Sequence, residues 1–271
     1  MKSAAGRLPL HRLCYIGEKM SDDRIWTAGL LVIGDEILSG RTQDRNVAQI
    51  GTWLNLQGIR LTEVRMVPDR IEMIAAATNA LRTAHDYLFT TGGIGPTHDD
   101  ITIDAIAAAL GLDVVVHPKA RAVLEEFYAG RGGVNEARLR MARVPAGAEL
   151  IENLYSGAPG VRIGNIFILA GVPRIAAMML DSLAGALEGG RPLLSRTLGG
   201  WIQESEVAGL LESTEKAHDR CQIGSYPFFR DGRPGANFVI RSDDQTALDA
   251  CADELLAGLR ALGKEVADGG V

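Results

Sequence analysis

The sequence predicts an α/β protein, with helices covering both faces of a mainly parallel sheet in three layers, α/β/α, and a small α+β domain after it. Three observations carry that reading. Strand-like apolar runs and helical periodicities alternate from residue 28 to residue 111. Two of the strand-like runs, AGLLVIG and DYLFTTGG, end in glycine, as buried strands leading into tight loops do. Past residue 190 the order changes to strand, helix, strand, strand, helix. Alternation of the first kind favours parallel strands, because each connecting helix returns the chain to the same end of the sheet.

Residues 28–34 form a continuous apolar run, the mark of a strand buried on both faces. Val47, Ile50 and Leu54 then recur at helical spacing as far as Gly58, a natural helix stop. Residues 60–67, RLTEVRMV, alternate with the two-residue period of a strand. Ile71, Ile74, Thr78 and Leu81 mark a second helix, residues 86–93 a third strand, and Ile103, Ile106, Ala107 and Leu110 a helix that stops at Gly111. Farther on, RTLGGWI reads as a strand, Glu204 to Ala217 as a helix, CQIGSYPFF and ANFVIRS as strands, and Thr246 to Leu262 as an amphipathic helix. The expected organisation is a disordered extension over residues 1–25, a large domain over 26–190, a small βαββα domain over 191–264 and a flexible tail over 265–271. Tyr226, Phe228 and Phe229 are expected to serve as aromatic core or as a dimer contact, since aromatic side chains mostly serve packing.

Composition excludes several classes. The 271 residues, 46% of them hydrophobic, supply the core of one large domain or of a large and a small one. With 28 Lys+Arg against 34 Asp+Glu, a net charge of -6 and no long basic run, nucleic acid is a poor partner. Cys14, Cys221 and Cys251 are too widely spaced to signal a disulfide framework or a zinc cage, and a cytoplasmic location is expected. The basic stretch up to Lys19 lacks the apolar core of a secretory signal. No apolar run reaches the roughly 18–20 residues that a membrane span requires, so no membrane partner is expected.

Open α/β sheets bind ligands at the carboxyl ends of their strands, which directs attention to residues 90–102, TTGGIGPTHDDIT. Glycine lets backbone N–H groups approach an anion closely, and a helix N-terminus adds partial positive charge. Thr91, Gly92, Gly93 and Gly95 are therefore candidates to cradle a phosphate or a pterin; a plain strand-to-helix turn is the competing reading. Pro96 stiffens the turn, while Thr97 and Asp100 are both candidate N-caps for the helix beginning near Ile101. The P-loop and Rossmann fingerprints are absent. Asp99 and Asp100 instead suit a hard divalent cation, one as ligand and the other as cap, and His98 reads as solvated.

The other strand exits carry carboxylates too. Gly34, Asp35 and Glu36 follow the first strand, with Asn46 just before the next helix; Asp35 either caps a turn or faces the cleft with Asp100. Asp69, in VPDR, is a natural N-cap for the helix after the second strand. Asp35, Asp69 and Asp100 gathered from three strand ends suit metal-assisted phosphoryl chemistry.

The blocks VIGDEILSGRTQDRN, VPD, TTGGIGPTHDDIT, SGAPGV and LAGVPR resemble the molybdopterin-binding fold. That fold is shared by MoaB and MogA proteins, by the amino-terminal domain of CinA (competence/damage-inducible protein A) and by the corresponding domain of eukaryotic FAD synthase. The resemblance spans residues 26–188 in ordered blocks and is nearer to the CinA and FAD-synthase branch. It implies that Asp69 and Asp100 match two aspartates with catalytic, metal-dependent roles in MogA-type adenylyltransferases. Thr91, Gly92, Gly93, Gly95 and Pro96 match the pterin- and phosphate-contacting loop. LAGVPR, with Gly171 and Pro173, matches a second loop in which Ala170 stands for the usual first proline. Gly34, Asp35, Glu36, Asn46 and Thr97 complete the expected substrate-binding set, with Asp99 and Asp100 as metal ligands. Asn135 and Arg138 read as a helix cap and a solvated side chain.

No residues remain for the amidase domain of a long CinA or the adenylyltransferase domain of FAD synthase, so any activity is expected in the pterin-fold domain. The resemblance implies hydrolysis of a dinucleotide diphosphate such as FAD or ADP-ribose, with Mg, Mn or Co and release of AMP. The alternatives are adenylyl transfer to molybdopterin, or binding of a pterin or nucleotide without turnover. A homo-oligomer, dimer or trimer, is expected from the relatives.

Overall fold

The computed structural model describes residues 24–153 and 155–271. The chain runs through strand β1 (Trp26–Ile33), the single turn α1 (Asp35–Leu38), helix α2 (Asn46–Leu56), β2 (Ile59–Val67), α3 (Ile71–Ala84), β3 (Tyr87–Thr91) and α4 (Thr102–Leu110). An excursion follows, comprising β4 (Val114–Val116), α5 (Pro118–Tyr128), α6 (Glu136–Arg140) and β5 (Arg143–Pro145). The chain then returns through β6 (Glu149–Ile151), β7 (Gly160–Ile163), β8 (Ile166–Leu169) and α7 (Pro173–Ser182). The last elements are β9 (Leu194–Gly200), α8 (Glu204–Ala217), β10 (Gln222–Arg230), β11 (Arg233–Ser242), α9 (Gln245–Ala261) and β12 (Ala267–Asp268).

The large sheet has the order β2-β1-β3-β8-β7-β6. Strand β1 pairs in parallel with β2 and β3, and β3 with β8; β7 and β6 extend the sheet antiparallel. The apolar run of β1 explains its central place, because alternate side chains must be buried on opposite faces. Leu31 and Ile33 enter a core with Ile74 and Leu81 of α3 and Ile106 of α4. Leu30 and Val32 face the opposite core, with Ile50 and Leu54 of α2 and Met179 of α7. Burying each such leucine or isoleucine contributes about 1.5–3 kcal/mol. Phe89 of β3 and Phe167 of β8 stack at 4.9 Å between centroids, locking together the two strands whose exits flank the cavity described below.

The second sheet has the order β10-β11-β9-β12, all antiparallel, with Leu198, Phe238 and Ile240 packed on Val207 of α8 and Leu255 of α9. The expected βαββα order is present, with one strand more. Residues 265–271 are not a loose tail. Ala267 and Asp268 pair with Gly199 and Leu198, Gly269 donates to the Thr197 carbonyl at 2.8 Å, and Val271 N donates to Asn237 Oδ1 at 3.0 Å.

Other expectations also need correction. Tyr226 and Phe229 are not core: they are 46% and 73% exposed, because β10 is an edge strand. Arg24, inside the expected disordered extension, pairs with Asp86 and lies over the Trp26 ring. The rest of that extension, residues 1–23, lies outside the described residues, as does Cys14. Arg138 is not solvated: its guanidinium covers the Tyr128 ring and donates to the Arg131 carbonyl, although Asn135 caps α6 as expected. Among the described residues no helix is long and apolar enough to cross a membrane.

Candidate functional site

The site forms where β1, β2, β3 and β8 end side by side. Gly34 N donates to the Val67 carbonyl at 3.2 Å, tying the exits of β1 and β2. At the exit of β3, Gly92 has φ +100, and a Cβ there would stand 2.1 Å from the Ile33 carbonyl oxygen. Only glycine permits that approach. Thr102 then closes the loop onto the start of α4, since its N donates to the Gly93 carbonyl at 3.0 Å and its Oγ1 to the Gly92 carbonyl at 2.8 Å. The second loop, after β8, packs Gly171 against Gly92 and is held by Asn46 Nδ2, which donates to the Gly171 carbonyl at 2.8 Å. Gln49 Nε2 reaches the Pro173 carbonyl at 3.1 Å, and Pro173 opens α7, where its missing N–H costs nothing.

Between the two loops lies a cavity of ≈ 590 Å³, a size suited to a nucleotide or pterin. Its wall carries the polar side chains of Glu36, Thr42 and Asp100 and the loop from Gly92 to Pro96. Among the described residues, none accepts a hydrogen bond from the backbone N–H groups of Gly93, Ile94 or Gly95. Apolar side chains of Tyr128, Met141, Ala158, Val172, Ile175 and Met179 also line it.

Of the residues singled out from the sequence, Glu36, Gly92, Gly93, Gly95, Pro96, Asp100, Gly171 and Pro173 line this cavity. Thr91 is 1% exposed and Asn46 4% exposed; neither lines the cavity, and Asn46 acts on it through Gly171. Gly34 serves the strand exit, and Thr97 is spent inside its own loop. His98, with its side chain 97% exposed, is solvated as expected.

Neither aspartate is the helix cap that spacing suggested. Thr97 N donates to Asp100 Oδ2 at 2.7 Å, and the Thr97 hydroxyl donates to the same oxygen, so Asp100 closes a turn while α4 begins without a side-chain cap. Asp69 likewise leaves α3 uncapped, and its Oδ2 accepts from the backbone N–H of Asp35 at 2.9 Å. Burial pushes the Asp69 carboxyl above the usual aspartate range, and the charges of Asp35, Glu36 and Asp99 add to the shift against that hydrogen bond. Among these charges is that of Asp99, from the loop after β3. Among the described residues no three His, Cys, Asp or Glu side chains converge as a ready metal cage.

Sequence reasoning missed the apolar wall. Tyr128 ends α5, Met141 follows α6 and Met179 lies on α7, and no motif joins them; only the packing of the excursion over the strand ends does.

Strand order, paired glycine loops and crevice define an α/β protein with a cavity at its strand ends. Residues 29–189 match the family model of a probable molybdopterin binding domain, and residues 192–265 match that of the FAD synthase middle domain. A protein of Aeropyrum pernix is 33% identical over 85% of this chain and 90% of its own length. A CinA-like protein of Citrifermentans bemidjiense is 35% identical over 86% of this chain and 58% of its own. A crystal structure of the protein CinA, of unknown function, from Thermoplasma acidophilum superposes with a TM-score of 0.56 at 31% identity, covering 60% of this chain and 98% of that one. The chain belongs to the molybdopterin-binding domain family, in its CinA-like, MoaB/Mog-type group.

Proposed function

We propose that the protein is a metal-dependent hydrolase of dinucleotide diphosphates of the FAD or ADP-ribose type, acting in the cytoplasm and releasing AMP. The observation that carries this reading is one cavity lined both by a glycine loop whose Gly93, Ile94 and Gly95 N–H groups have no acceptor among the described residues and by apolar side chains that suit a flat ring. Glu36 and Asp100, the carboxylates on the cavity wall, with Asp99 next to Asp100, would hold a hard cation such as Mg, Mn or Co. Such ions take one or two carboxylates and complete their shell with water and substrate phosphates. Bound there, the ion supplies Lewis acidity at a phosphoryl oxygen. Gly93, Ile94 and Gly95 would hold the diphosphate, and Asp100 on the cavity wall, or Asp69 beside the strand exits, would hold the metal or orient the attacking water. Water adds at the adenosine-side phosphorus and the bond from that phosphorus to the bridging oxygen breaks. The products are AMP and the phosphate monoester of the other half.

A second reading, binding of a pterin or nucleotide without turnover, is favoured by the lack of a three-carboxylate cage among the described residues. Adenylyl transfer to molybdopterin uses the same loop and stands third. The assay that separates them follows AMP release from FAD and ADP-ribose with each metal, for the parent and for Asp69→Asn and Asp100→Asn. Release that needs metal together with Asp100 or Asp69 supports hydrolysis; tight binding with no release under any condition favours the binding module. We also infer a homo-oligomer, dimer or trimer, in contact through the exposed Tyr226 and Phe229 face, which light scattering of Phe229→Glu tests.

A further inference from the structure

The charged side chains of the cavity wall are acidic: Glu36 and Asp100 line it, and neither lysine nor arginine does. A diphosphate entering there meets like charge. Behind the glycine loop, a narrow recess shares Gly93, Ile94, Gly95, Asp100 and Met141 with the cavity, and two arginines, Arg140 and Arg143, line it. Their commitments differ. Arg143 is tied to both carboxylate oxygens of Asp104, the Nη1 bond at 3.1 Å. Arg140, the last residue of α6, makes one long bond, from Nη2 to the Asp100 carbonyl at 3.5 Å. Its Nε is buried without an acceptor, and among the described residues no carboxylate pairs with it.

A guanidinium is always charged and offers five N–H donors in a planar fork. Holding one partly buried with a single weak acceptor is unfavourable, and an oxygen-rich anion is the ligand that relieves it. We propose that Arg140 binds the diphosphate of the ligand from behind the glycine loop, supplying the positive charge that the cavity wall itself lacks. The inference rests on the cavity being a dinucleotide diphosphate site. The Asp100 carbonyl holds the fork in place at the loop, where a phosphate oxygen is the stronger acceptor. Met141, the next residue, lines both the recess and the cavity, so one segment would reach both the diphosphate and the rest of the ligand.

The test measures binding of ADP-ribose, as its non-hydrolysable methylene-bridged analogue, and of adenosine by calorimetry with magnesium present, for the parent, Arg140→Gln and Arg140→Lys. The expected result is that the parent prefers ADP-ribose, that Arg140→Gln loses about tenfold or more in ADP-ribose affinity with adenosine unchanged, and that Arg140→Lys recovers part of the loss. The salt dependence of ADP-ribose binding should also flatten in Arg140→Gln. A parent that prefers ADP-ribose alongside an Arg140→Gln protein that binds it equally well overturns the role of Arg140 alone. A parent that does not distinguish the two ligands overturns the diphosphate reading, and this inference with it. Should Arg140→Gln fail to fold, Arg140→Lys decides: a point charge that binds ADP-ribose as tightly as the parent, with unchanged salt dependence, rules out the bidentate fork.

Discussion

Asp69 accepts a 2.9 Å hydrogen bond from the backbone N–H of Asp35, so the exits of β1 and β2 are joined by a carboxylate that local sequence assigns to a helix cap. That bond holds the charge of Asp69 beside those of Asp35, Glu36 and Asp99, in a half-buried setting that raises its proton affinity.

The folded state therefore binds the Asp69 proton more tightly than the unfolded chain does. Stability from this group is fully present below the ordinary aspartate range and is lost as pH rises through the raised value. Asp69→Asn keeps an acceptor for the Asp35 N–H and removes the charge. Urea denaturation should find it at least as stable as the parent near neutral pH, with the advantage shrinking in acid. A variant less stable at neutral pH would show the hydrogen bond outweighing the charge.

Asn46→Ala should lower stability by about 1–2 kcal/mol, through loss of the bond from its buried amide to the Gly171 carbonyl. It should also weaken ADP-ribose binding by freeing the second loop. Unchanged affinity in calorimetry would detach Asn46 from the site.

Gly92→Ala and Gly111→Ala separate close approach from backbone conformation. Gly111 caps α4 at φ +66 with nothing within 4 Å of an added Cβ, so its substitution should cost about 1–2 kcal/mol. Gly92→Ala adds a 2.1 Å clash with the Ile33 carbonyl and should cost more and abolish ligand binding. Equal denaturation midpoints would mean that the loop yields easily.

Removing residues 265–271 should lower the Tm, since it strips β12 from β9 and takes Asp268 from Arg196. Arg196 holds the Asp268 carboxyl below the usual aspartate range, a contribution present above that range and lost as pH falls through the lowered value. The difference in Tm should therefore narrow in acid. No difference at neutral pH would show that β12 adds nothing to the small sheet.

The alternation of apolar runs was enough to place β1, α2, β2, α3, β3 and α4, because the two-residue and 3.6-residue periods are properties of neighbouring residues. The glycines after β3 and β8 were legible for a similar reason, since only glycine serves where one backbone passes closely over another, as Gly92 does over Ile33 and Gly171 over Gly92. Capping was misread at Asp69 and Asp100, whose oxygens went to Asp35 N–H and to Thr97: spacing identifies a possible acceptor, whereas competing donors depend on which loops meet. The apolar wall built from Tyr128, Met141 and Met179 and the pairing of Ala267 with Gly199 join residues distant in sequence, so no local pattern announces them. Local chemistry in the sequence determined which elements form and where the backbone must be bare; only the packing of those elements decided which carboxylates, N–H groups and apolar side chains face one another across the cavity.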